Sequence, residues 1–118
     1  MEKCVFCKIA TGEILAEKIH ENGGFFSIPD KNPRTKGHSL VISKKHFETI
    51  LNMNSTLGTE LIGCIKGTVM RLMKEKAFDG FNIVNNNFEA AGQIIKHFHM
   101  HIIPRRKGDN IGKELMFP

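Results

Sequence analysis

A chain of 118 residues with 41% hydrophobic side chains is long enough to bury one core and too short for two. Its net charge of +5 is scattered over Lys31/Arg34/Lys36, Lys44/Lys45 and Arg105/Arg106/Lys107, so it forms no basic arm. With no Trp or Tyr to stack on bases and no nucleic-acid motif, a large nucleic acid partner is not expected, whereas a small phosphate-bearing ligand suits such charges.

The opening "MEKCVFCKIA" has no basic flank leading into an apolar run, and no stretch holds eighteen consecutive apolar residues. Neither a signal peptide nor a membrane span is expected, and the setting reads as cytoplasmic. Three cysteines, an odd number, argue against a disulfide framework and leave metal, redox chemistry or packing.

In chain order, "CVFCKIATGEI" reads as a short helix or turn with Phe6, Ile9 and Ile14 inward and Gly12 near its end. "GGFFSIPD" reads as a strand closed by Pro29, "DKNPRTKG" as a loop and "HSLVISKKH" as the next strand. Asn54, Ser55 and Thr56 offer helix caps, and Leu57, Leu61, Ile65, Val69 and Leu72 follow at spacings of three and four. The expectation is one long amphipathic helix. Gly63 and Gly67 inside it each cost roughly 1 kcal/mol against Ala, which implies close packing across it, and Cys64 beside the apolar stripe reads as a core thiol. "DGFNIVNN" is a third strand, "NFEAAGQ" a loop, and "IIKHFHMHIIP" a fourth strand ended by Pro104. Without a repeating βαβ pattern, the class is α+β with a mainly antiparallel sheet.

The last strand carries His97, His99 and His101 at alternate positions, which puts them on one face and Phe98, Met100 and Ile102 on the other. One metal ion cannot hold all three. Same-face neighbours on a strand lie about 6.7 Å apart and the outer pair about 13 Å, against zinc–nitrogen bonds of about 2.1 Å. A neutral imidazole attacks phosphorus well, and a neighbouring imidazolium can hydrogen-bond a phosphate oxygen, so the face can supply a nucleophile and its electrostatic support. A histidine strand at a surface or interface without chemistry is the bland alternative. The flank "NNNFEAAGQ" favours chemistry, because Asn86 and Gln93 are neutral amide donors and Ala90, Ala91 and Gly92 let backbone N–H groups approach an anion.

"GQIIKHFHMHIIPR" resembles the histidine triad signature of the nucleotide-binding branch of the histidine triad proteins, with "GHSLVISKKH" and "FCKIATGEI" as further markers. The resemblance implies a single histidine triad domain over residues 1–118, a homodimer whose subunits share a continuous sheet, and a purine nucleotide substrate. It implies that His99 attacks the α-phosphorus of a nucleoside phosphoramidate or related phosphoanhydride, giving a nucleotidyl-histidine that water resolves to a nucleoside monophosphate. His101 would hold a phosphate oxygen, with His38 beside the same phosphate. Asn86 and Gln93 match phosphate contacts, Asp30 matches the carboxylate on the ribose hydroxyls, and Phe6, Ile9 and Ile14 match the apolar slot for the base. An acid does suit a vicinal diol, and an apolar slot a flat ring.

Cys4-x-x-Cys7 is ambiguous alone between zinc and redox chemistry, although the thioredoxin-like reading lacks its βαβ context. In zinc-bearing members of the superfamily the remaining ligands fall where this chain has His46 and His97. The resemblance therefore implies a closed structural zinc site of Cys4, Cys7, His46 and His97, which fastens the N-terminal segment and does not catalyse. Two departures stand out. Ile94 replaces a usual Ser or Thr hydroxyl beside the leaving group, and Phe88 stands where Gly is common. A dinucleoside polyphosphate hydrolase, and a nucleotide- or partner-binding module with vestigial activity, are the alternatives.

Overall fold

The computed structural model describes residues 4–112, so the ends of the expected domain, 1–3 and 113–118, lie outside it. Five strands form one antiparallel sheet: β1 (His20–Glu21), β2 (Phe25–Pro29), β3 (Ser39–Ser43), β4 (Gly80–Val84) and β5 (His99–Arg105), in the order β1-β2-β3-β5-β4. Two helices flank it, α1 (Val5–Ala10) and α2 (Gly58–Glu75). The α+β class and the antiparallel sheet agree with the sequence reading.

Alternation sorts each strand's side chains to two faces. Phe25, Val41 and Ile102 lie on one, where with Phe98 they form a core with Leu61, Cys64, Val69 and Leu72 of α2. Phe26, Ile28, Leu40 and Ile42 lie on the other, covered by Phe6 and Ile9 of α1. Cross-strand partners share a face, so the pairs Ile42↔His99 and Leu40↔His101 place both histidines on the α1 side. That side is only partly roofed, because α1 has six residues against eighteen in α2. The gap becomes the site.

Several expectations need correction. β1 adds a strand not foreseen; it is two residues long and exists by pairing with β2. The last strand begins at His99 rather than Ile94, and continues through Pro104 to Arg105. Arg105 turns its carbonyl to β4, where it accepts from Asp79 N–H. Pro104 therefore points its nitrogen to the opposite side, past the last β3 partner Ser39, and no ladder bond is lost there. Asn54 does cap, but its Oδ1 accepts from Thr56 N–H in a 3₁₀ turn, Ser55–Leu57, that feeds into α2. Gly67 is needed where expected: any Cβ there would meet the ring of His20 on β1. Cys64 is fully buried, and burial pushes its thiol up, as befits a core group.

Candidate functional site

A cleft of about 1000 Å³ opens on the α1 side, lined by Phe6, Ile9, Ile28 and Leu40 at its apolar floor and by Asp30, His38, His99 and His101. Thus most of the expected site residues, from positions 6 to 101, meet in one concavity. Ile14 also lines it, though half-exposed and beyond the end of α1 rather than inward from it.

His99 is buried to 8% exposure at the start of β5. Its Nδ1 lies 2.7 Å from the carbonyl oxygen of His97. A carbonyl only accepts, so Nδ1 carries the proton and Nε2 keeps its lone pair. Phe6 meets the ring edge-on, with centroids 5.2 Å apart. Asn85 Nδ2 donates to the His99 carbonyl at 3.0 Å, fixing the main chain beneath it. Burial lowers the pKa of His99, and the neutral ring this favours is the nucleophilic form.

His101 belongs to a chain of hydrogen bonds that the backbone orients. The N–H of Arg34 donates to His38 Nδ1 at 3.0 Å, which leaves the proton on His38 Nε2. That atom lies 3.0 Å from His101 Nδ1 and 3.3 Å from Asp30 Oδ2. His101 Nδ1 therefore accepts, and its Nε2–H is the donor left over. Asp30, His38 and His101 lie close enough to hold an ion, but a metal would need the His38 Nε2 lone pair that this tautomer lacks. The trio reads as a relay.

Burial works against an imidazolium at His101 and His38 in the free protein. Burial, with His99, His38 and Arg34 nearby, pushes His101 down to about 3, and burial also lowers His38 against the pull of Asp30. A histidine whose folded pKa lies below its unfolded value near 6.5 contributes stability at neutral pH that is lost as pH falls through that window. His101 alone predicts a loss of about 2 kcal/mol between pH 7 and pH 5. Thermal unfolding over that range checks it. His101→Asn should flatten the decline, and an unchanged slope would assign the acid sensitivity elsewhere.

The asparagine run divides its labour. Asn85 and Asn87 brace the loop: Asn87 Nδ2 donates to Asn85 Oδ1 at 2.7 Å and Asn87 Oδ1 accepts from Ile50 N–H at 2.9 Å. Asn86 is buried with Nδ2 unpartnered, close to the face of Gly92, which lines the cleft in the left-handed conformation. An orphaned amide donor beside a cleft suits an incoming anion. Gln93 is a correction. Its Oε1 accepts from Phe88 N–H and its Nε2 donates to Glu48 O, both at 2.7 Å, so it ties the loop to a neighbouring segment and does not line the cleft. Phe88 adopts φ 72°, a conformation that glycine takes without strain. Ile94 lines the cleft at 87% exposure. The sequence reading missed the bracing role of Asn85, and it left Lys31 and Arg34, which also line the cleft, without a site.

Cys4, Cys7, His46 and His97 converge. Cys4 Sγ lies 3.2 Å from Cys7 Sγ and from His97 Nδ1, Cys7 Sγ lies 3.2 Å from His46 Nδ1, and the two Nδ1 atoms are 3.1 Å apart. The remaining pairs are 3.5 and 3.6 Å apart, so the four atoms form a near-regular tetrahedron. Edges of about 3.3–3.8 Å follow from tetrahedral zinc bonded at about 2.0–2.3 Å, so the donor set fits such an ion. His97 Nε2 donates to Ser43 O at 2.7 Å, which frees Nδ1 as a ligand atom, and burial favours its neutral form. The fully buried His97 sits just before β5 and turns to the cysteines while its carbonyl holds His99, so the three histidines share no single ion site, as their spacing requires.

Fold and site together define a class of protein: an antiparallel α+β sheet that presents buried histidines to an open cleft and ties the same segment to a Cys₂His₂ cluster able to hold a metal ion. The chain belongs to the HIT domain family, which residues 11–108 match. It is 47% identical over 108 residues to an uncharacterized HIT-like protein of Methanocaldococcus jannaschii, covering 90% of this chain and 81% of that one. It is 39% identical over 106 residues to the adenylylsulfatase HINT3 of Arabidopsis thaliana, covering 90% of this chain and 54% of that protein. A zinc-bound histidine triad family protein from Mycobacterium smegmatis has the same fold, with a TM-score of 0.81 and 35% identity over 93% of this chain and 80% of its own.

Proposed function

We propose that this protein is a nucleotide hydrolase acting at the α-phosphorus of nucleoside phosphoramidates or related phosphoanhydrides. The observation that carries the reading is the His99 imidazole, whose Nδ1–H is bonded to the His97 carbonyl while the ring lines a cleft with an apolar floor. In the first step the Nε2 lone pair attacks phosphorus, the bond to the leaving group breaks, and the departing amine takes a proton from solvent. The imidazole becomes cationic, and the His97 carbonyl opposite Nδ1–H stabilises that charge. Water then attacks the same phosphorus and loses a proton to solvent, the P–N bond to His99 breaks with its electron pair returning to Nε2, and a nucleoside monophosphate leaves. His101 Nε2–H and the orphaned Asn86 amide supply hydrogen bonds to the phosphoryl oxygens. Phe6, Ile9 and Ile14 take a flat base, by resemblance a purine, and Asp30 the ribose hydroxyls. The Arabidopsis relative named an adenylylsulfatase supports a reading in which α-phosphorus chemistry tolerates varied leaving groups.

The four-residue cluster holds zinc in this reading, as structure and not as catalyst, since all four tetrahedral positions are taken by protein. Reduced thiols suit a cytoplasmic setting; no helix among the described residues is long and apolar enough to cross a membrane. The homodimer implied by the resemblance is supported by β4, a sheet edge that exposes Phe81 and Ile83, and by α2, which exposes Ile62, Met70 and Met73. A sedimentation mass of a single chain would remove the dimer.

The test is incubation with adenosine phosphoramidate, with AMP release followed and the protein trapped early for mass analysis. A nucleotidyl group on the peptide containing His99 is the expected result. AMP binding with neither product nor adduct would favour the binding module, the alternative to which the exposed Ile94 gives weight. Faster turnover on diadenosine tetraphosphate would favour the dinucleoside polyphosphate hydrolase.

A further inference from the structure

Lys31 and Arg34 are the permanent cations among the residues lining the cleft, and Asp30 is the acidic one. Neither cation forms an ion pair with its side chain among the described residues. Meanwhile the phosphate envisaged at His99 is met by neutral groups, namely His101, the Asn86 amide and the backbone at Gly92. The cleft therefore holds two kinds of anion-attracting wall, with the Asp30 carboxylate beside the charged one.

The backbone that carries the charged wall is held by hydrogen bonds. Asp30 N–H donates to His38 O at 2.9 Å, Asn32 N–H to Asp30 Oδ1 at 2.8 Å, and His38 N–H to Thr35 O at 3.1 Å. Arg106 donates to the carbonyl of Lys36 at 3.1 Å from outside the loop. Pro33 and Gly37, the latter at φ 96°, fix the turn between them. Arg34 is tied to the relay through its main chain, whose N–H donates to His38 Nδ1 at 3.0 Å. Such a loop fixes the backbone positions from which the exposed Lys31 and Arg34 side chains line the cleft.

We infer that Lys31 and Arg34 form a second anion subsite, taking a phosphate ester on the 2′ or 3′ oxygen of the ribose in a nucleotide whose 5′-phosphorus meets His99. This rests on the nucleotide reading above and narrows its substrate class to nucleotides that carry a ribose-edge phosphate. Asp30 does not forbid it. One Asp30 oxygen is bonded to Asn32 N–H and the other faces His38, while the ribose hydroxyl left free still donates to that carboxylate. Two cations beside one partly satisfied anion leave net attraction for a phosphate.

Calorimetric titration of the metal-loaded protein tests this with AMP, adenosine 3′,5′-bisphosphate, adenosine 2′,5′-bisphosphate and ADP as probes. One ribose bisphosphate should bind about tenfold or more tightly than AMP, with the advantage shrinking as salt rises. In the Lys31→Gln/Arg34→Gln double variant that advantage should vanish; AMP, lacking the second phosphate, reports whether the rest of the cleft is intact. Bisphosphates no tighter than AMP, or an advantage that survives the double substitution, would overturn the subsite. An advantage shown by ADP alone would also overturn it, because the cations would then serve the 5′ chain. If no probe binds, the nucleotide reading itself fails and this inference falls with it; AMP binding without any bisphosphate gain sinks the subsite alone.

Discussion

His99→Ala should release no measurable AMP from adenosine phosphoramidate, a loss on the order of 10⁴-fold or more, while AMP itself still binds. Removal of the nucleophile in a covalent mechanism removes the intermediate, and the remaining hydrogen bonds cannot replace the bond that formed. His101→Ala should cost less, on the order of 10²–10³-fold, since it takes away one donor to the phosphoryl group. The ranking is the informative part. Equal residual rates in the two variants would mean that His99 and His101 share one electrostatic role, and retained turnover in His99→Ala would end the covalent mechanism. Because His99 contacts Phe6 edge-on and lies at 8% exposure, each variant needs its unfolding midpoint measured beside its rate.

Cys7→Ser should lose zinc and stability together. The wild type is expected to carry one zinc per chain and the variant none, with the unfolding midpoint lower by about 10–20 °C, corresponding to a few kcal/mol for a domain of this size. The reason lies in α1, whose six residues are too few for a helix to stand alone. Phe6 and Ile9 bury one face of it, and the cluster joins its N-cap residue Cys4 to His97 and His46. A strong chelator added to the wild type should reproduce the effect, and readdition of zinc should reverse it. Metal-free wild type of unchanged stability would show that packing alone holds the segment.

How much of this was legible beforehand depended on whether a residue's partner was near it in sequence. The α2 stripe of Leu61, Val69 and Leu72 is a local periodicity, and it reads correctly because its 3.6-residue repeat faces one sheet. Strand β1 has no such signal; His20 and Glu21 are extended only because Phe26 and Ser27 pair with them. The alternation of His97, His99 and His101 was legible, since Phe6 packs against the rings of both His97 and His99 while Phe98 and Ile102 lie in the opposite core, but the partners of His97 were not. That residue obeys Ser43 and the cysteines, none of which the local sequence reveals. Gln93 looked like a free amide and is fully employed holding Phe88 and Glu48 in place, while Asn85, which read as a plain strand end, steadies the carbonyl of His99. Resemblance to a family supplied the long-range groupings, such as Asp30 with His38 and Cys4 with His97. Composition and spacing could not have done so.

His97 gives its ring to the Cys₂His₂ cluster and its carbonyl to the His99 proton. One peptide unit thus belongs to two sites, and the chemistry at phosphorus is not modular with respect to the N-terminus. A lineage that abandoned its cysteines would have to re-anchor this imidazole against the Ser43 carbonyl by packing before the reaction could continue undisturbed. Chimeras that exchange the first ten residues between relatives should accordingly alter turnover even when every cleft residue is kept.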